Sequence, residues 1–524
     1  MALAQALSSP ARFLLAGAAA LLPLVIAVIL LLKRNYLRPA ETCRGHRQRL
    51  PPSPPRLPII GHLHLVGFLP HINLRHLAVK YGARDYMLVH FGSMPTLVVS
   101  SPRAAEAVLR THDHAFASRP PYPVTDALFA GTPDIAMAVY GEQWRQARKL
   151  LTTHMLTVKK VQAYRPGREE EVRTAMARLR WAATANDTVV DMSDLLYSFT
   201  TGLMYRAVSG ESDDGRNRHI RELLDATVKL VGGFYPESFF PWLGHVGAVR
   251  RATYARAEKV KRRWNELFDA MIDDAGKPTP AKQRQPEGFI RQLLSHQRDH
   301  GLPREHIKGM LINVFFGGTD TSYMVLEFMV AELIRNPNAM HKLQAELRSR
   351  VPGKREVVTE DDLTDMTYLR AVIKETLRLH PPAPLLEPHL SMDRLQIDGY
   401  TIPANISVIV NAWAIGRDET VWEDAEEFKP ERFIGSEVTF KGNDFELLPF
   451  SAGRRICPGV NFSMATLEIM VANLMYHFDW KLPEGMEANG IDMTEVFSST
   501  LHRKEKLLLV PKHVLINNII GCDN

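Results

Sequence analysis

The run Phe13–Leu32 (FLLAGAAALLPLVIAVILLL) constrains this chain more than any other feature, because it is twenty consecutive residues without a charge. A helix of that length crosses a bilayer core, where every backbone polar group must be bonded within the segment. Pro23 is tolerated there as a kink. Between Lys33 and Arg49 stand six basic residues (Lys33, Arg34, Arg38, Arg44, Arg47, Arg49) and one acid, Glu41, while only Arg12 and the amino terminus precede the run. Charge biased to that side places the bulk of the protein in the cytoplasm. A cleaved signal peptide carries its basic flank first and a shorter apolar core, so the run reads as a retained anchor.

The same short segment holds +5 of a net charge of +6, from 64 Lys and Arg against 58 Asp and Glu. The remainder is nearly neutral. A nucleic-acid partner requires a basic face on the folded domain and is excluded on this distribution. Next comes Pro51–Pro58 (PPSPPRLP), too rich in proline for helix or sheet interior and stiff when extended. It reads as a plain linker or as a spacer that sets how the following domain leans on the membrane. Three widely spaced cysteines (Cys43, Cys457, Cys522) rule out a disulfide framework and paired-cysteine zinc sites.

Beyond Gly61 the pattern is mostly helical with a minor sheet. Tyr86–Phe91 and Pro95–Ser100 are β-branched apolar runs separated by Gly92, read as strands. Strand-like pieces return at Leu395–Val410, turning at Asp398-Gly399, and at Lys506–Val510. Between Pro303 and Pro337 no proline interrupts the chain, which predicts one helix of roughly 50 Å. Its middle, Met310–Val330, is apolar on nearly every face and should run through the core. Gly317-Gly318-Thr319-Asp320-Thr321-Ser322 interrupts that apolar stretch. Two glycines and a buried carboxylate are costly in a helix, so the segment either kinks for packing or opens a pocket. Asp beside Thr at a widened turn suits a proton relay, and a buried capping interaction is the rival reading.

Phe450–Gly459 (FSAGRRICPG) carries the strongest chemistry. Gly453 and Gly459 permit close backbone approach, Pro458 stiffens the loop, and Arg455 is placed to hold an anion. Amide groups in such a turn stabilise a thiolate. A lone thiolate without histidine or cysteine neighbours cannot build a zinc site, but it can supply the one axial ligand of a haem. The ten residues resemble, at every defined position, the cysteine loop of the haem-thiolate monooxygenases, the cytochromes P450. Glu375-Thr376-Leu377-Arg378 resembles the family's Glu-x-x-Arg helix, Pro430-Glu431-Arg432-Phe433 its arginine loop, and Gly317–Ser322 its oxygen-activation motif. The arrangement is similar to plant A-type members. Ser100–Val108, Thr111–His114, Ile415–Asp418 and Leu474–Trp480 resemble the grass group that hydroxylates indole-derived compounds in benzoxazinoid synthesis.

The resemblance implies a mainly α fold with a smaller β region. The divisions are a short lumenal N-terminus (1–12), a transmembrane anchor (13–32), a basic and proline-rich hinge (33–61), one catalytic domain (62–512) and a tail (513–524). It implies haem b on the thiolate of Cys457, in a loop framed by Phe450 and Gly459. Trp144, Arg148 and Arg455 would bind its propionates. His389 stands where many relatives have arginine; a shorter, neutral ring gives no full ionic contact. Gly317 and Gly318 would leave room for dioxygen, and Thr321 with Asp320 would deliver protons. Glu375, Arg378 and Arg432 would form a buried ion network behind the cysteine loop. Phe129, Phe315, Phe316, Leu385, Leu386 and Phe497 would line an apolar substrate pocket, each with a core position as the competing reading.

The implied activity is hydroxylation of a small apolar or heteroaromatic metabolite, an indolin-2-one type compound first, a terpenoid or phenylpropanoid otherwise. Two electrons would come from NADPH through NADPH-cytochrome reductase, at the cytoplasmic face of the endoplasmic reticulum. A haem-thiolate enzyme that rearranges peroxides, or a haem-binding membrane protein without turnover, are the rivals. The first would have no use for the Asp320-Thr321 pair.

Overall fold

Proline spacing and apolar periodicity translate directly into the long helices. In the computed structural model, which describes residues 49–514 apart from 130, 131, 133, 185–187, 278–287, 301, 353 and 354, those that frame the site are α1 (Arg165–Thr184), α2 (Met192–Ser209), α3 (Asp214–Val231), α4 (Gly247–Gly276), α5 (Arg304–Arg335), α6 (Thr367–Leu379) and α7 (Val460–His477). The helix expected between the two prolines is α5, starting after Pro303 and ending at Asn336, whose amide still bonds Glu332 O at 2.9 Å. α2 starts where the Asp191 carboxylate accepts from Asp194 N, 2.9 Å, and ends at Gly210 in the left-handed region (φ 87). Side-chain capping followed by a left-handed glycine is the ordinary way to satisfy both helix ends.

α5 and α7 are apolar on nearly all faces because both are enclosed. Leu311, Phe328 and Val330 of α5 and Leu467, Met470 and Leu474 of α7 share one core with Val172 of α1 and Phe199 of α2. The helix runs unbroken through Gly317–Ser322 in ordinary α-helical turns, so the expected widened turn is absent. Burial of the surrounding side chains outweighs the two glycine penalties of about 1 kcal/mol each.

The strands are β1 (Tyr86–Phe91), β2 (Met94–Val99), β3 (Val190–Asp191), β4 (His389–Leu390), β5 (Leu395–Ile397), β6 (Tyr400–Ile402), β7 (Ser407–Val410), β8 (Phe478–Lys481), β9 (Glu495–Phe497), β10 (Leu501–Arg503) and β11 (Leu508–His513). β1-β2-β7-β4 form the largest sheet, with β2 and β7 parallel. β5 and β6 are joined by the expected Asp398-Gly399 turn, with both residues at positive φ (50 and 79). That pair of dihedrals matches the twist of a tight hairpin, which is why Asp-Gly serves there.

Pro51–Gly61 is docked on this sheet. Leu88 N donates to Pro52 O at 2.9 Å, and His62 Nε2 pairs with Pro54 O at 2.9 Å. This part of the hinge is therefore packed against the domain. The anchor Phe13–Leu32, the basic cluster before Arg49, Cys43, Cys522 and the tail from 515 lie outside the described residues. Among the described residues no helix is long and apolar enough to cross a membrane.

Candidate active site

Cys457 sits between a short helical turn, Gly453–Arg455, and the start of α7. Its N–H donates to Phe450 O, 2.9 Å, closing the loop, and Gly459 N–H points at its sulfur, 3.4 Å. Burial pushes the thiol pKa up, while the Gly459 amide and the Arg148 charge pull the other way. Gly453 has φ 67, and a Cβ there would meet Leu109 O at 2.2 Å. Only glycine fits. Gly459 behaves otherwise: with φ −88 and nothing closer than the Cys457 sulfur at 3.7 Å, it needs no special backbone freedom. Its contribution is the amide. Phe450 packs edge-on against Phe440, ring centroids 5.5 Å apart.

Beside this loop three guanidinium groups meet. Arg455 donates to Ala117 O (2.7 Å), Ile135 O (3.3 Å) and Ala138 O (2.6 Å), and lies 4.1 Å over the Trp144 ring. Trp144 Nε1 donates to Ile135 O, 3.0 Å, and Arg148 to Ile456 O, 2.5 Å. The third, Arg119, is one that sequence reasoning missed. It is buried and donates to Ala136 O (2.9 Å), Glu387 O (2.7 Å) and Pro388 O (2.8 Å). Every hydrogen bond described for the three goes to a carbonyl oxygen, and none has an ion-pair partner among the described residues. Burial, and then Arg119 and Arg148, hold Arg455 down to about 9. Burial likewise holds Arg119 to about 10. His389 is in the same place. Its Nδ1 pairs with Phe116 O at 2.7 Å, and its Nε2 is buried with no partner among the described residues. Burial and the neighbouring Arg119 take the ring down to about 3, so it is neutral.

The ion network is formed as expected. Arg378 holds Glu375 with two nitrogens, and Arg432 Nε reaches Glu375 Oε1 at 3.1 Å. Arg378 also donates to Gly416 O and Ala425 O, tying down the segment ahead of Pro430–Phe433. Phe433 shares a small core with Trp422 and Leu447, and Phe440 packs on both that core and Phe450. The network therefore braces the cysteine loop through packed rings.

A family model described as Cytochrome P450 matches residues 51–510. The chain belongs to the cytochrome P450 family. Indole-2-monooxygenase of Zea mays is 54% identical over 470 residues, covering 88% of this chain and 87% of the relative. Indolin-2-one monooxygenase of Zea mays is 49% identical over 486 residues, 90% of each. 3-Hydroxyindolin-2-one monooxygenase of the same species is 48% identical over 505 residues, 93% of this chain and 94% of the relative. A solved zebra fish cytochrome P450 with progesterone superposes with a TM-score of 0.71 over 85% of this chain and 99% of that one, at 24% identity. That likeness concerns the fold alone.

As a cytochrome P450 the protein is a haem-thiolate monooxygenase supplied with electrons by a redox partner. The residues present fit the haem. Three guanidinium groups stand here with no ion pair among the described residues, and the buried Arg119 and Arg455 are attracted only at longer range, by the Glu387 and Asp134 carboxylates. Such charge calls for anionic carboxylates, which the propionates supply. Neutral His389, whose Nδ1 donates to Phe116 O, leaves Nε2 as an acceptor and is no partner for them. Arg119, Arg148 and Arg455 would hold them. Cys457 would be the iron's thiolate ligand. Among the described residues no group of three or more His, Cys, Asp or Glu could hold a metal ion.

Several expected positions are corrected by packing. A Cβ on Gly318 would meet Met204 Sδ at 2.6 Å, so Gly318 serves the approach of α2 to α5; Gly317 alone looks onto open space. Asp320 turns away from the Thr321 hydroxyl, which donates to Gly317 O at 2.7 Å, because neighbouring helical residues point about 100° apart. Asp320 instead accepts from Thr500. Phe315 is fully buried between Trp264 and Phe268, each 6.0 Å away, and is a core residue. Leu385 and Leu386 join the two apolar clusters that include the β1, β2 and β7 side chains. Phe129, Phe316 and Phe497 are half-buried at the edge of the main core.

Proposed function

We propose that this protein hydroxylates a small indole-derived compound of the indolin-2-one type. The observation that carries the reading is the 48–54% identity, over at least 87% of both lengths, with three maize monooxygenases named for such substrates. A flat heteroaromatic ring suits the half-buried phenylalanines Phe129, Phe316 and Phe497.

When bound, the haem supplies dioxygen reduction and insertion of one oxygen atom into a substrate C–H bond, the other leaving as water. The chain's own residues do the rest. The Phe450–Cys457 turn fixes the sulfur and the Gly459 amide steadies its negative charge. Arg119, Arg148 and Arg455 neutralise the carboxylates that anchor the cofactor. Thr321, beside the open face of Gly317, holds its hydroxyl at the helix groove where a proton can be passed. Phe316 and Phe129 keep water out.

The electrons come from NADPH through NADPH-cytochrome reductase, and Phe13–Leu32 anchors the chain in the endoplasmic reticulum with the catalytic domain on the cytoplasmic side. An apolar surface supports that placement. Exposed Ile59 and Ile60 adjoin Gly92, which donates to Ile60 O at 3.2 Å; Ser93 donates to Phe239 O at 3.0 Å. Exposed Phe234 stacks on Phe239, and exposed Trp242 adjoins Phe240. Apolar patches of this kind mark membrane or protein contacts, and this one lies on the segment leading from the anchor.

The test is a spectral titration of the full-length, haem-loaded protein in membranes with indole, indolin-2-one and 3-hydroxyindolin-2-one. A saturable haem spectral change with one of these, stronger than with terpenoid or phenylpropanoid controls, is expected. Response to the controls alone rejects the substrate class.

A further inference from the structure

The rear of α5 carries a polar cluster that the site above does not use. The Asp320 carboxylate faces the C-terminal hairpin β9–β10, where its Oδ2 accepts from the Thr500 hydroxyl and lies 3.3 Å from His502 Nε2. The same nitrogen is 2.7 Å from Thr500 Oγ1. The three side chains close a triangle, and solvent reaches its corners unequally: the Asp320 side chain is 4% exposed and that of His502 is 21% exposed. The imidazole is thus the one member with an edge in water.

Three carboxylates favour the charged form of His502: Asp320 and Glu327 on α5 and Asp225 on α3. The neutral Tyr323 ring of α5 lies 6.1 Å from the imidazole, and Tyr197 of α2 donates to Asp225 at 3.0 Å. Arg503, on the hairpin itself, faces Glu327 at 3.8 Å, and Ser193 donates to that same carboxylate. Burial alone would lower the imidazole, but Asp320 first, then Glu327 and Asp225, raise it above its ordinary value. A buried carboxylate needs such a partner to stay ionised.

This inference rests on the monooxygenase reading, in which each turnover draws protons toward the groove beside Gly317 and Thr321. We propose that His502 is a positioning and proton-supplying residue for Asp320, the buried acid next to Thr321, with Thr500 holding the two in line. His502 takes a proton from water at its exposed edge and passes it to the Asp320 carboxylate. The imidazole is left neutral until water protonates it again. Protonated Asp320 loses its ionic attraction to His502 and the charge that strengthens the bond from the Thr500 hydroxyl, and is released to turn toward Thr321. No electron moves in these steps, and one proton enters for each one delivered.

The experiment uses the full-length, haem-loaded chain with its reductase in membranes, as wild type, His502→Gln and Thr500→Val. The reduced carbon-monoxide spectrum checks that each variant holds its haem. Wild-type product formation is expected to fall as alkaline pH deprotonates His502. His502→Gln should be about 10-fold slower with KM unchanged, flat over the same pH range, and should lose more of its NADPH to peroxide. A readout independent of turnover is a thermal-unfolding cycle of His502→Gln with Asp320→Asn, which should be non-additive because the pair touches.

If His502→Gln does not hold its haem, Thr500→Val decides by the same measurements. A variant with wild-type rate, coupling and pH profile overturns the proposal. So does an effect on KM alone, which would make His502 only a pocket residue. A wild type without NADPH-dependent product sinks the monooxygenase reading and this proposal with it. A wild type that turns over beside an indifferent His502→Gln sinks the relay by itself.

Discussion

Arg378 grips Glu375 through two parallel contacts, Nε to Oε2 at 2.7 Å and Nη2 to Oε1 at 2.8 Å, and neither side chain reaches solvent. The same carboxylate also accepts from Lys429 N at 2.7 Å and from Arg432. Removing one partner of a buried pair leaves an uncompensated charge, at a cost of about 3–5 kcal/mol. Glu375→Ala is therefore expected to abolish recovery of haem-bound protein. Arg378→Lys should fail nearly as badly, because lysine cannot supply the planar fork. The height of the carbon-monoxide band per unit of expressed chain measures both.

The two loop glycines should respond in opposite ways. Gly453→Ala places a Cβ 2.2 Å from Leu109 O at positive φ and should lower both the Tm and haem content. Gly459→Ala meets only the cysteine sulfur at 3.7 Å and should keep its haem. Equal damage from both would contradict the loop geometry.

Phe315 and Phe316 offer a second contrast. Phe315 is enclosed by Trp264 and Phe268, so Phe315→Ala should cost about 3–5 kcal/mol of stability, with product identity unchanged in the protein that survives. Phe316→Ala should leave the Tm closer to wild type and alter substrate KM. Thermal unfolding and product analysis by mass spectrometry separate the two.

Acid stability should depend on Glu495. Its carboxylate bonds His71 at 2.9 Å and faces His380 at 3.7 Å. Burial acts to raise its pKa, but the bonds from His380 and His71 outweigh that and take it from 4.5 down to about 2. A group with a depressed folded pKa stabilises above its unfolded value and loses that contribution as the folded pKa is approached. The Tm of the wild type should therefore drop as pH falls from 4.5 toward about 2. Glu495→Gln should be less stable at neutral pH and lose this component of the acid slope.

Local spacing made part of this legible in advance. The cysteine loop, the Glu375–Arg378 pair three residues apart, the helix between Pro303 and Pro337 and the Asp398-Gly399 turn all depend on residues close in sequence. What sequence left open depends on tertiary contact. Arg119 is a single arginine in Ser118-Arg119-Pro120, 338 positions from the cysteine, and only the fold brings it beside Arg455. Which of Phe315 and Phe316 faces the core is set by α4 packing on α5. Gly318 is small for Met204, a residue on another helix. Asp320 and Thr321 read as a pair in sequence, yet helical geometry turns them apart and gives Asp320 to a hairpin 180 residues later.

The most direct test of the functional account is NADPH-dependent turnover of the indolin-2-one panel under ¹⁸O₂, in membranes containing the full-length chain and its reductase. The account predicts one panel member gaining a single ¹⁸O atom in a hydroxyl group, with no product when NADPH is withheld. An intact carbon-monoxide band without any labelled indolic product would contradict it.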